Sequence, residues 1–481
     1  MRVGQLSAID FVSKVLASLL GFVATIYFAR VLGADTLGTY YLILSVVGWM
    51  SLFGTMGIGS GLVKRISEGT ETGEYLSAGG LSMAIFFILI SGVLFGLQGV
   101  LDSYVGVPAY TSVIGLLCVG LAGSFVDAVL QGQRLVHIYS LLKPVRRAVR
   151  SLFQVGAVIL GLELTGLVTG YAFGGVIAVL LGVVFISFNL KIPKRTHFES
   201  LFNYAKYAWL GQLKSKTFNR ADILILGVFV VPSLVGVYAI AWNIAGFLAI
   251  FSSSISSALF PEVSNVSTQI GVEESTGIVQ DAIGYAGLIT LPGFVGSIIL
   301  GENILSLYGQ EFTQGSFILI LLIAASVVYD YQKIAVSTLS AIDRPDLSFR
   351  VNAVLVISNV ILNVVLIYSF GWIGAAVATL LSAGLSLAVG YLLLIKMIDV
   401  SFPIRSVSTQ VISALVMGVA VVGVERLLIV LDIRTMRALA SVALVLFGAS
   451  TYLIVLLVIS PRFRETVLTN LDPITTRIDI R

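Results

Sequence analysis

The sequence predicts an all-α integral membrane protein with about fourteen transmembrane helices. Of its 481 residues, 57% are hydrophobic and 11% are charged, whereas soluble domains carry roughly 25% charged residues. Apolar stretches of about 20 residues, long enough to cross a hydrocarbon core of roughly 30 Å, recur from Ser7 almost to the C-terminus. These stretches are continuous and lack the alternation of a membrane β-strand, so helices are the expected spans.

The predicted spans form two groups of six, followed by a further pair. In the first half they cover residues 7–28, 36–56, 78–97, 110–130, 149–164 and 166–188. In the second half they cover residues 205–228, 233–254, 282–300, 316–337, 351–369, 372–394, 406–424 and 439–459. This pattern predicts an N-terminal six-helix lobe (residues 1–200), a C-terminal six-helix lobe (201–400), and two additional helices with a cytoplasmic tail (401–481).

The distribution of basic residues between the spans predicts that both termini are cytoplasmic. With the N-terminus inside, most loop cations fall on the cytoplasmic side, among them Lys64, Arg65, Arg134, Lys143, Arg146, Arg147, Arg150, Lys191, Lys194 and Arg195. The external gaps hold only Arg30, Arg426, Arg434 and Arg437. Cytoplasmic loops carry the excess of Lys and Arg in membrane proteins, so this orientation is preferred. We therefore expect a multi-pass protein of the cell membrane, with its basic residues too scattered for a nucleic-acid partner.

The gaps between the spans argue against several enzyme classes. The longest runs over residues 255–281, too short for a separate catalytic domain, and no G-x-x-x-x-G-K-[ST] phosphate-binding loop occurs. Cys118 is the only cysteine, and His137 and His197 are the only histidines. Because no thiolate or imidazole cluster is available for a metal ion, we expect neither an enzymatic activity nor a metal or other cofactor.

Two segments of the chain resemble each other at an offset of about 198 residues. Residues 29–40 align with residues 227–238, which places Gly38 on Gly236 and Tyr40 on Tyr238. Because an even number of spans separates the segments, both lobes enter the membrane in the same direction and are related by an axis along the membrane normal. Such lobes are expected to enclose a central cavity.

Charged residues inside a predicted span form the candidate site. The seventh span contains Lys214, Lys216, Arg220 and Asp222, and each charge at the centre of a membrane costs about 2.5 to 3.5 kcal/mol to insert. Asp222 can neutralise only one of the cations, so the span keeps excess positive charge. One hypothesis is that these side chains line a watery cavity and bind an anionic substrate group, because ammonium and guanidinium are the usual partners of phosphate.

The alternative role for these cations is structural. They would then pair with acids on other spans, such as Asp10, Asp127 or Asp330, and hold the bundle together. Asp10 and Lys14 in the first span are spaced for an ion pair on one helix face, and the repeat places Lys14 opposite the seventh span, facing the same cavity. Asp330 and Lys333 in the tenth span are expected to form a structural pair.

Two series of glycines have the four-residue spacing that lets membrane helices approach closely. They are Gly92 with Gly96, and Gly166 with Gly170 and Gly174. Their expected role is helix packing.

The second half contains three specific motifs, at residues 305–312 (LSLYGQEF), 339–345 (LSAIDRP) and 371–379 (GWIGAAVAT), with Asn352, Asn359 and Asn363 between the last two. Residues 29–33 (ARVLG), and Asp222 followed by residues 224–227 (LILG), look like matching signatures of the two lobes. Together these motifs resemble the polysaccharide flippases of the multidrug/oligosaccharidyl-lipid/polysaccharide exporter superfamily, over nearly the whole chain.

The resemblance implies a two-lobed transporter that moves a lipid-linked oligosaccharide to the external face by alternating access, for cell-surface glycan synthesis or protein glycosylation. The lipid would be a polyprenyl or dolichyl phosphate or pyrophosphate, and glycosyltransferases or an oligosaccharyltransferase are implied as partners. The candidate substrate-binding residues are Lys14, Lys214, Lys216, Arg220, Asp222 and Asp10. The four cations lie outside the family motifs, so their role follows from the charge argument alone.

Other functions remain open. A cation-coupled multidrug exporter has a similar fold, but would favour an acidic, apolar cavity. A peptidoglycan-precursor flippase is also similar and would share a cationic cavity. A membrane glycosyltransferase or ligase, from a different class, is disfavoured by the short gaps between the spans.

Overall fold

The computed structural model describes the backbone of residues 3–430 and 437–467, and their side chains except at residues 3–20, 207, 210–212, 214–220, 429, 430, 437 and 438. The described residues form sixteen α-helices and two short 3-10 turns. The first nine helices are α1 (Val3–Thr55), α2 (Ile58–Ser67), α3 (Thr72–Gly96), α4 (Gln98–Val105), α5 (Tyr110–Gly132), α6 (Val136–Ile159), α7 (Glu163–Phe185), α8 (Arg195–Phe229) and α9 (Pro232–Leu248). The others are α10 (Ile250–Gln269), α11 (Thr276–Ala286), α12 (Thr290–Ser306), α13 (Ser316–Ala341), α14 (Pro345–Leu394), α15 (Ile404–Val430) and α16 (Arg437–Ile459).

The chain forms two compact units, unit 1 (Met1–Ala239) and unit 2 (Ile240–Arg481). In unit 1, apolar side chains of α2, α3, α5 and α8 pack into one core around Leu62 and Val129. Unit 2 has a core of α10, α11, α13 and α14 around Ile334, and a second of α12, α15 and α16 around Met417. Among the described residues, nine helical segments are long and apolar enough to cross a membrane, and the bent pair α9–α10 makes a tenth. The predicted all-helical membrane fold class is confirmed at this level.

Helix α14 is a hairpin of two antiparallel segments. Its 50 residues would extend about 75 Å if straight, more than twice a hydrocarbon core. Gly371 interrupts it with φ 58° and ψ −141°, a conformation open essentially to glycine alone. Between the two segments, Asn359 Nδ2 donates to Ser382 Oγ (3.2 Å), and Ser386 Oγ donates to the Val351 carbonyl (3.0 Å). These hydrogen bonds satisfy polar groups that would otherwise be buried without partners.

Helices α6 and α7 form a second antiparallel hairpin, and glycines of α7 line the contact. A Cβ atom on Gly170 would lie 2.7 Å from the Gln154 backbone nitrogen, and one on Gly174 would lie 2.6 Å from the Arg150 Cβ. The predicted packing role is confirmed for this glycine series. It is wrong for Gly92 and Gly96, where an added Cβ would meet no described atom within 4 Å.

The two glycines that the sequence repeat superposes are in direct contact within unit 1. A Cβ on Gly38 would fall on the Pro232 carbonyl oxygen (1.7 Å) and lie 3.1 Å from the Gly236 nitrogen. A Cβ on Gly236 would fall on the Ala34 carbonyl oxygen (2.1 Å) and lie 2.9 Å from the Gly38 nitrogen. The backbones of α1 and α9 therefore touch, and both positions require glycine.

Two features differ from the sequence prediction. Residues 255–281 were expected as a loop, but α10 continues the eighth span to Gln269 after a bend of 45° from α9. The fifth span was expected to begin at residue 149, but α6 begins at Val136 and contains Pro144. Charged residues interrupt the apolar run in α6, so a hydropathy window shortens this helix although its backbone is continuous.

Candidate functional site

Asp222 is the predicted site residue whose side chain the structure describes. It lies in α8 with 4% of its surface exposed, and its Oδ2 accepts a hydrogen bond from the Tyr238 hydroxyl at 2.8 Å. Tyr238, from α9, is 1% exposed. A buried carboxylate needs such donors because desolvation otherwise makes its charge costly.

The cations of the predicted site lie on helices α1 and α8, whose backbones continue through all of them. The side chains of Asp10, Lys14, Lys214, Lys216 and Arg220 are outside the described residues. Their grouping around a common cavity therefore stays a prediction.

The structure bears on the alternative that acids on other spans neutralise these cations. Asp127 on α5 already pairs with Arg146 on α6, with 2.9 Å between Oδ1 and Nη2. Asp330 on α13 is fully buried and pairs with Lys333 at 3.7 Å, as predicted. Two of the three acids proposed as partners are thus paired with cations of their own unit.

A second group of cations lies within a single helix, which the sequence alone did not predict. Arg146, Arg147 and Arg150 were expected in a cytoplasmic loop, but they lie on α6. Arg150 is nine residues before the end of α6 at Ile159, about 14 Å along the helix. Its guanidinium lies 4.7 Å from the centre of the Tyr171 ring, a stabilising cation–π contact. Apolar residues recur with helical spacing through this basic segment, and that signal marks it as helix.

A polar cavity of about 320 Å³ adjoins the Arg146–Asp127 pair in unit 1. Its polar lining comes from α1, α2 and α5 and comprises Ser51, Thr55, Ser60, Ser124, Asp127 and Gln131. Several of these side chains donate to carbonyls of their own helix, as Ser51 does to Val47 and Ser124 to Gly120. Their oxygens keep free acceptor capacity, and hydroxyl groups of a ligand can use it.

The repeat partner of Tyr238 has a different environment. The buried Tyr40 hydroxyl accepts a hydrogen bond from Gln154 Nε2 at 2.9 Å, and the same amide donates to the Leu167 carbonyl at 2.7 Å. The two tyrosines thus occupy equivalent positions, one against an amide and one against a carboxylate. The polar chemistry differs between the repeats although the backbone pattern is shared.

Buried ion pairs and hydrogen-bonded carboxylates inside a bundle of membrane-crossing helices are features of polytopic membrane transporters. Comparison with known proteins agrees with this class. Residues 4–267 match the family model described as "Polysaccharide biosynthesis protein". The chain is 30% identical over 472 residues to the "Probable flippase AglR" of Haloferax volcanii, covering 97% of this chain and 98% of that one. It belongs to the polysaccharide biosynthesis protein family.

Further comparisons concern a second relative and the fold. The "Probable low-salt glycan biosynthesis flippase Agl15" of Haloferax volcanii is 29% identical over 469 residues, covering 96% of this chain and 97% of that protein. A solved lipid II flippase MurJ in an inward closed conformation superposes with a TM-score of 0.78 at 15% identity, over 96% of this chain and 100% of that one. An inward-facing multidrug resistance MATE transporter superposes with a TM-score of 0.62 at 16% identity, over 81% and 98%. The fold is therefore similar to that of both solved transporters.

Proposed function

We propose that this protein is a flippase that moves a lipid-linked oligosaccharide from the cytoplasmic to the external face of the cell membrane by alternating access. The main support is the match of nearly the whole chain to two proteins named as flippases, one of them for glycan biosynthesis. The substrate couples a glycan to a polyprenyl or dolichyl phosphate or pyrophosphate. Its lipid tail remains in the bilayer while the polar part crosses, so the protein must lower the cost of moving charge and hydroxyl groups through hydrocarbon.

We infer fourteen spans with both termini in the cytoplasm. The two segments of α14 each form one span, and so do the two segments of α1 on either side of Gly33, where φ is 79°. Helices α6 and α8 are long enough to cross, and their charges are what lower their mean hydropathy. Dividing α1 and α14 adds two spans to the ten apolar ones, and α6 and α8 add two more, which gives fourteen.

The proposed phosphate-binding residues are Lys14, Lys214, Lys216 and Arg220. Asp222 and Asp10 lie on the same two helices and balance part of their charge. Support comes from the pairing of Asp127 and Asp330 within their own units, which leaves fewer acids to neutralise α8. A phosphate or pyrophosphate supplies the missing negative charge.

The cavity beside Asp127 is the proposed contact for the glycan. It offers serine, threonine and carboxylate oxygens as acceptors for sugar hydroxyls, and the adjacent Arg146 as a donor. Transport requires contacts that are numerous but individually weak, because tight binding would prevent release. The proposed partners are the glycosyltransferases that build the glycan and a transferase that uses it outside; this chain itself carries out no covalent chemistry.

Cation-coupled export of drugs is the second candidate, and one observation favours it. Asp330 is fully buried in unit 2 beside Ser252 and Thr290, which are each 1% exposed, and among the described residues neither hydroxyl nor either carboxylate oxygen has a hydrogen-bond partner. A carboxylate so placed can exchange a proton or a small cation, which a coupled exporter needs. A flippase driven by an ion gradient would need the same group. The transported substrate therefore distinguishes a flippase from a drug exporter.

The test measures lipid-linked glycan on each membrane face, by labelling with an impermeant lectin, in cells with the gene intact, deleted, or carrying Lys216→Ala with Arg220→Ala. We expect deletion and the double variant to trap charged glycolipid on the cytoplasmic face. Arg195→Ala, at the start of the same helix with a side chain 91% exposed, serves as the matched control and should transport normally. An unchanged distribution after deletion contradicts the flippase and makes drug export the leading candidate.

A further inference from the structure

A cavity at one end of unit 2 is separate from the charged groups discussed so far. It lies between α11, the beginning of α15, the end of α16 and the helical turn at residues 461–467. Its volume is about 320 Å³, and its lining includes Arg405, Ser406, Thr409 and Arg462. A small inner chamber of about 20 Å³ shares Ser406, Thr409 and Arg462 with it. The two chambers are therefore adjacent.

The outer chamber is rich in positive charge. Arg405 and Arg462 are exposed, and among the described residues neither forms an ion pair. Arg405 and Ser406 lie in the first turn of the 27-residue helix α15, where free backbone N–H groups and the helix dipole also favour an anion. Two guanidinium groups beside a helix N-terminus favour a phosphate by their charge.

The inner chamber has the opposite chemistry. Gln410 is 3% exposed; its Nε2 donates to the Gly284 carbonyl, while its Oε1 is buried without a partner. Asp281 and Tyr285 line the same chamber, and the Tyr285 hydroxyl is hydrogen-bonded to Thr466. A buried amide oxygen without a donor costs about 1 to 3 kcal/mol, so the chamber is suited to a ligand group that donates hydrogen bonds.

We propose that this cavity binds the head group of an anionic phosphoglycerol-type lipid. The phosphate diester lies between Arg405 and Arg462, and one glycerol hydroxyl enters the inner chamber, which has room for a single water-sized group, and donates to Gln410. Charge balance selects this head group, because two arginines and one aspartate leave the site one positive charge. A phosphoglycerol lipid carries one negative charge, whereas a phosphocholine or phosphoethanolamine lipid is neutral overall.

The surface beside the cavity fits an acyl chain. Ile404 at the mouth is 72% exposed, and Leu415 and Val419 further along α15 are 55% and 77% exposed. With Val411 they fall on one face of the helix, at spacings of seven and four residues, and extend roughly 22 Å from the mouth. A lipid whose head group occupies the cavity can therefore lay one chain along α15. In the proposed topology this is the cytoplasmic leaflet, where basic pockets between membrane helices bind anionic lipids.

The experiment titrates lipids into the full-length protein in detergent and reads bound lipid by native mass spectrometry. We expect phosphatidylglycerol to bind about tenfold or more tightly than phosphatidylcholine, and Arg405→Gln with Arg462→Gln to remove that preference. Arg464→Gln, two residues from Arg462 but outside the cavity lining, should keep it. Equal affinities for the two lipids, or an unchanged preference in the double variant, overturn the proposal.

Two further arms identify the ligand's source and its head group. If glycerol 3-phosphate or inorganic phosphate binds as tightly as the lipid, the site takes a free anion and the lipid assignment is wrong. Gln410→Leu should reduce the preference for phosphatidylglycerol over phosphatidic acid, which lacks the glycerol hydroxyls. If that preference is unchanged, water fills the inner chamber and the head-group assignment fails. The unfolding temperature of each variant, measured without lipid, shows whether the variant is folded. If the double variant is unstable, the single variant Arg405→Gln, at an exposed position, replaces it.

Discussion

At the scale of single residues, the repeat-related tyrosines show how one backbone pattern holds different chemistry. Tyr238 donates to the buried carboxylate of Asp222, whereas Tyr40 accepts from the amide of Gln154. A hydrogen bond to a charged group contributes about 1.5 to 3 kcal/mol, against about 0.5 to 1.5 kcal/mol for a neutral one. The second repeat therefore depends more strongly on its tyrosine.

Tyr238→Phe should lower the unfolding temperature more than Tyr40→Phe. The first substitution leaves the Asp222 carboxylate with fewer donors in a buried position, while the second leaves an amide that also bonds the Leu167 carbonyl. The measurement is thermal unfolding of both purified variants in the same detergent. Equal losses in the two variants would show that the bond to Asp222 is no stronger than a neutral one.

The Arg146–Asp127 pair gives a second prediction at this scale. The two side chains are 31% and 20% exposed, so breaking the pair should cost about 1 to 3 kcal/mol, between the values for surface and buried pairs. Asp127→Arg and Arg146→Asp should each reduce folded yield, and the double exchange should restore part of it. Arg195→Ala, which breaks a pair with Glu199 whose side chains are 91% and 55% exposed, is the control with little effect. No recovery in the double exchange would contradict a direct pairing.

At the scale of helical elements, single glycines decide where long helices fold back or approach. Gly371→Ala should sharply reduce folded protein, because φ of 58° with ψ of −141° excludes a Cβ atom and the hairpin of α14 depends on that residue. Gly384→Ala in the same helix is the matched control, since its Cβ would meet nothing within 4 Å. Fluorescence-detected size-exclusion chromatography measures both. A normal profile for Gly371→Ala would mean that the hairpin tolerates another turn.

The α6–α7 contact supports a similar comparison. Gly170→Leu should separate the helices, because even a Cβ would lie 2.7 Å from the Gln154 backbone. Gly92→Leu carries the same sequence motif but faces no described atom within 4 Å, so it should be tolerated. The readout is the unfolding temperature in detergent. Equal destabilisation by both would place an unseen contact on α3.

At the scale of the whole molecule, the fourteen-span topology predicts which loops face the cytoplasm. Cysteines placed at the exposed positions Thr70 and Ser103, after Cys118→Ser, should differ in reactivity with a membrane-impermeant maleimide added to intact cells. Ser103→Cys lies after the third span and should react, while Thr70→Cys should react only after lysis. The reverse labelling pattern would show that the protein has the opposite orientation in the membrane, and the proposed direction of transport would then be wrong.

The sequence predicted the parts of this fold that depend on local pattern. Membrane helices are recognisable because each must be apolar over about 20 residues. The Gly38–Gly236 correspondence emerged because the two glycines face each other where the backbones of α1 and α9 touch, and both sides of that contact exclude a side chain. The sequence predicted too short a helix at α6 because its basic residues lower the hydropathy of the segment, and Arg146 and Arg150 find their partners, Asp127 and Tyr171, on other helices. Gly92 and Gly96 were misread for the converse reason, since spacing alone does not show that a helix faces them.

By itself, the sequence determined the membrane class, the helical fold, the repeat and the family, because the solvation of each segment and its motifs are properties of consecutive residues. Only the tertiary structure decided which charges are compensated. The pairing of Asp127 with Arg146, the contact of Tyr238 with Asp222, and the cavity shared by Arg405 and Arg462 join residues from different helices. The electrostatic cost of a charge in a membrane protein depends on what lies within a few ångströms of it, and that distance is fixed by packing.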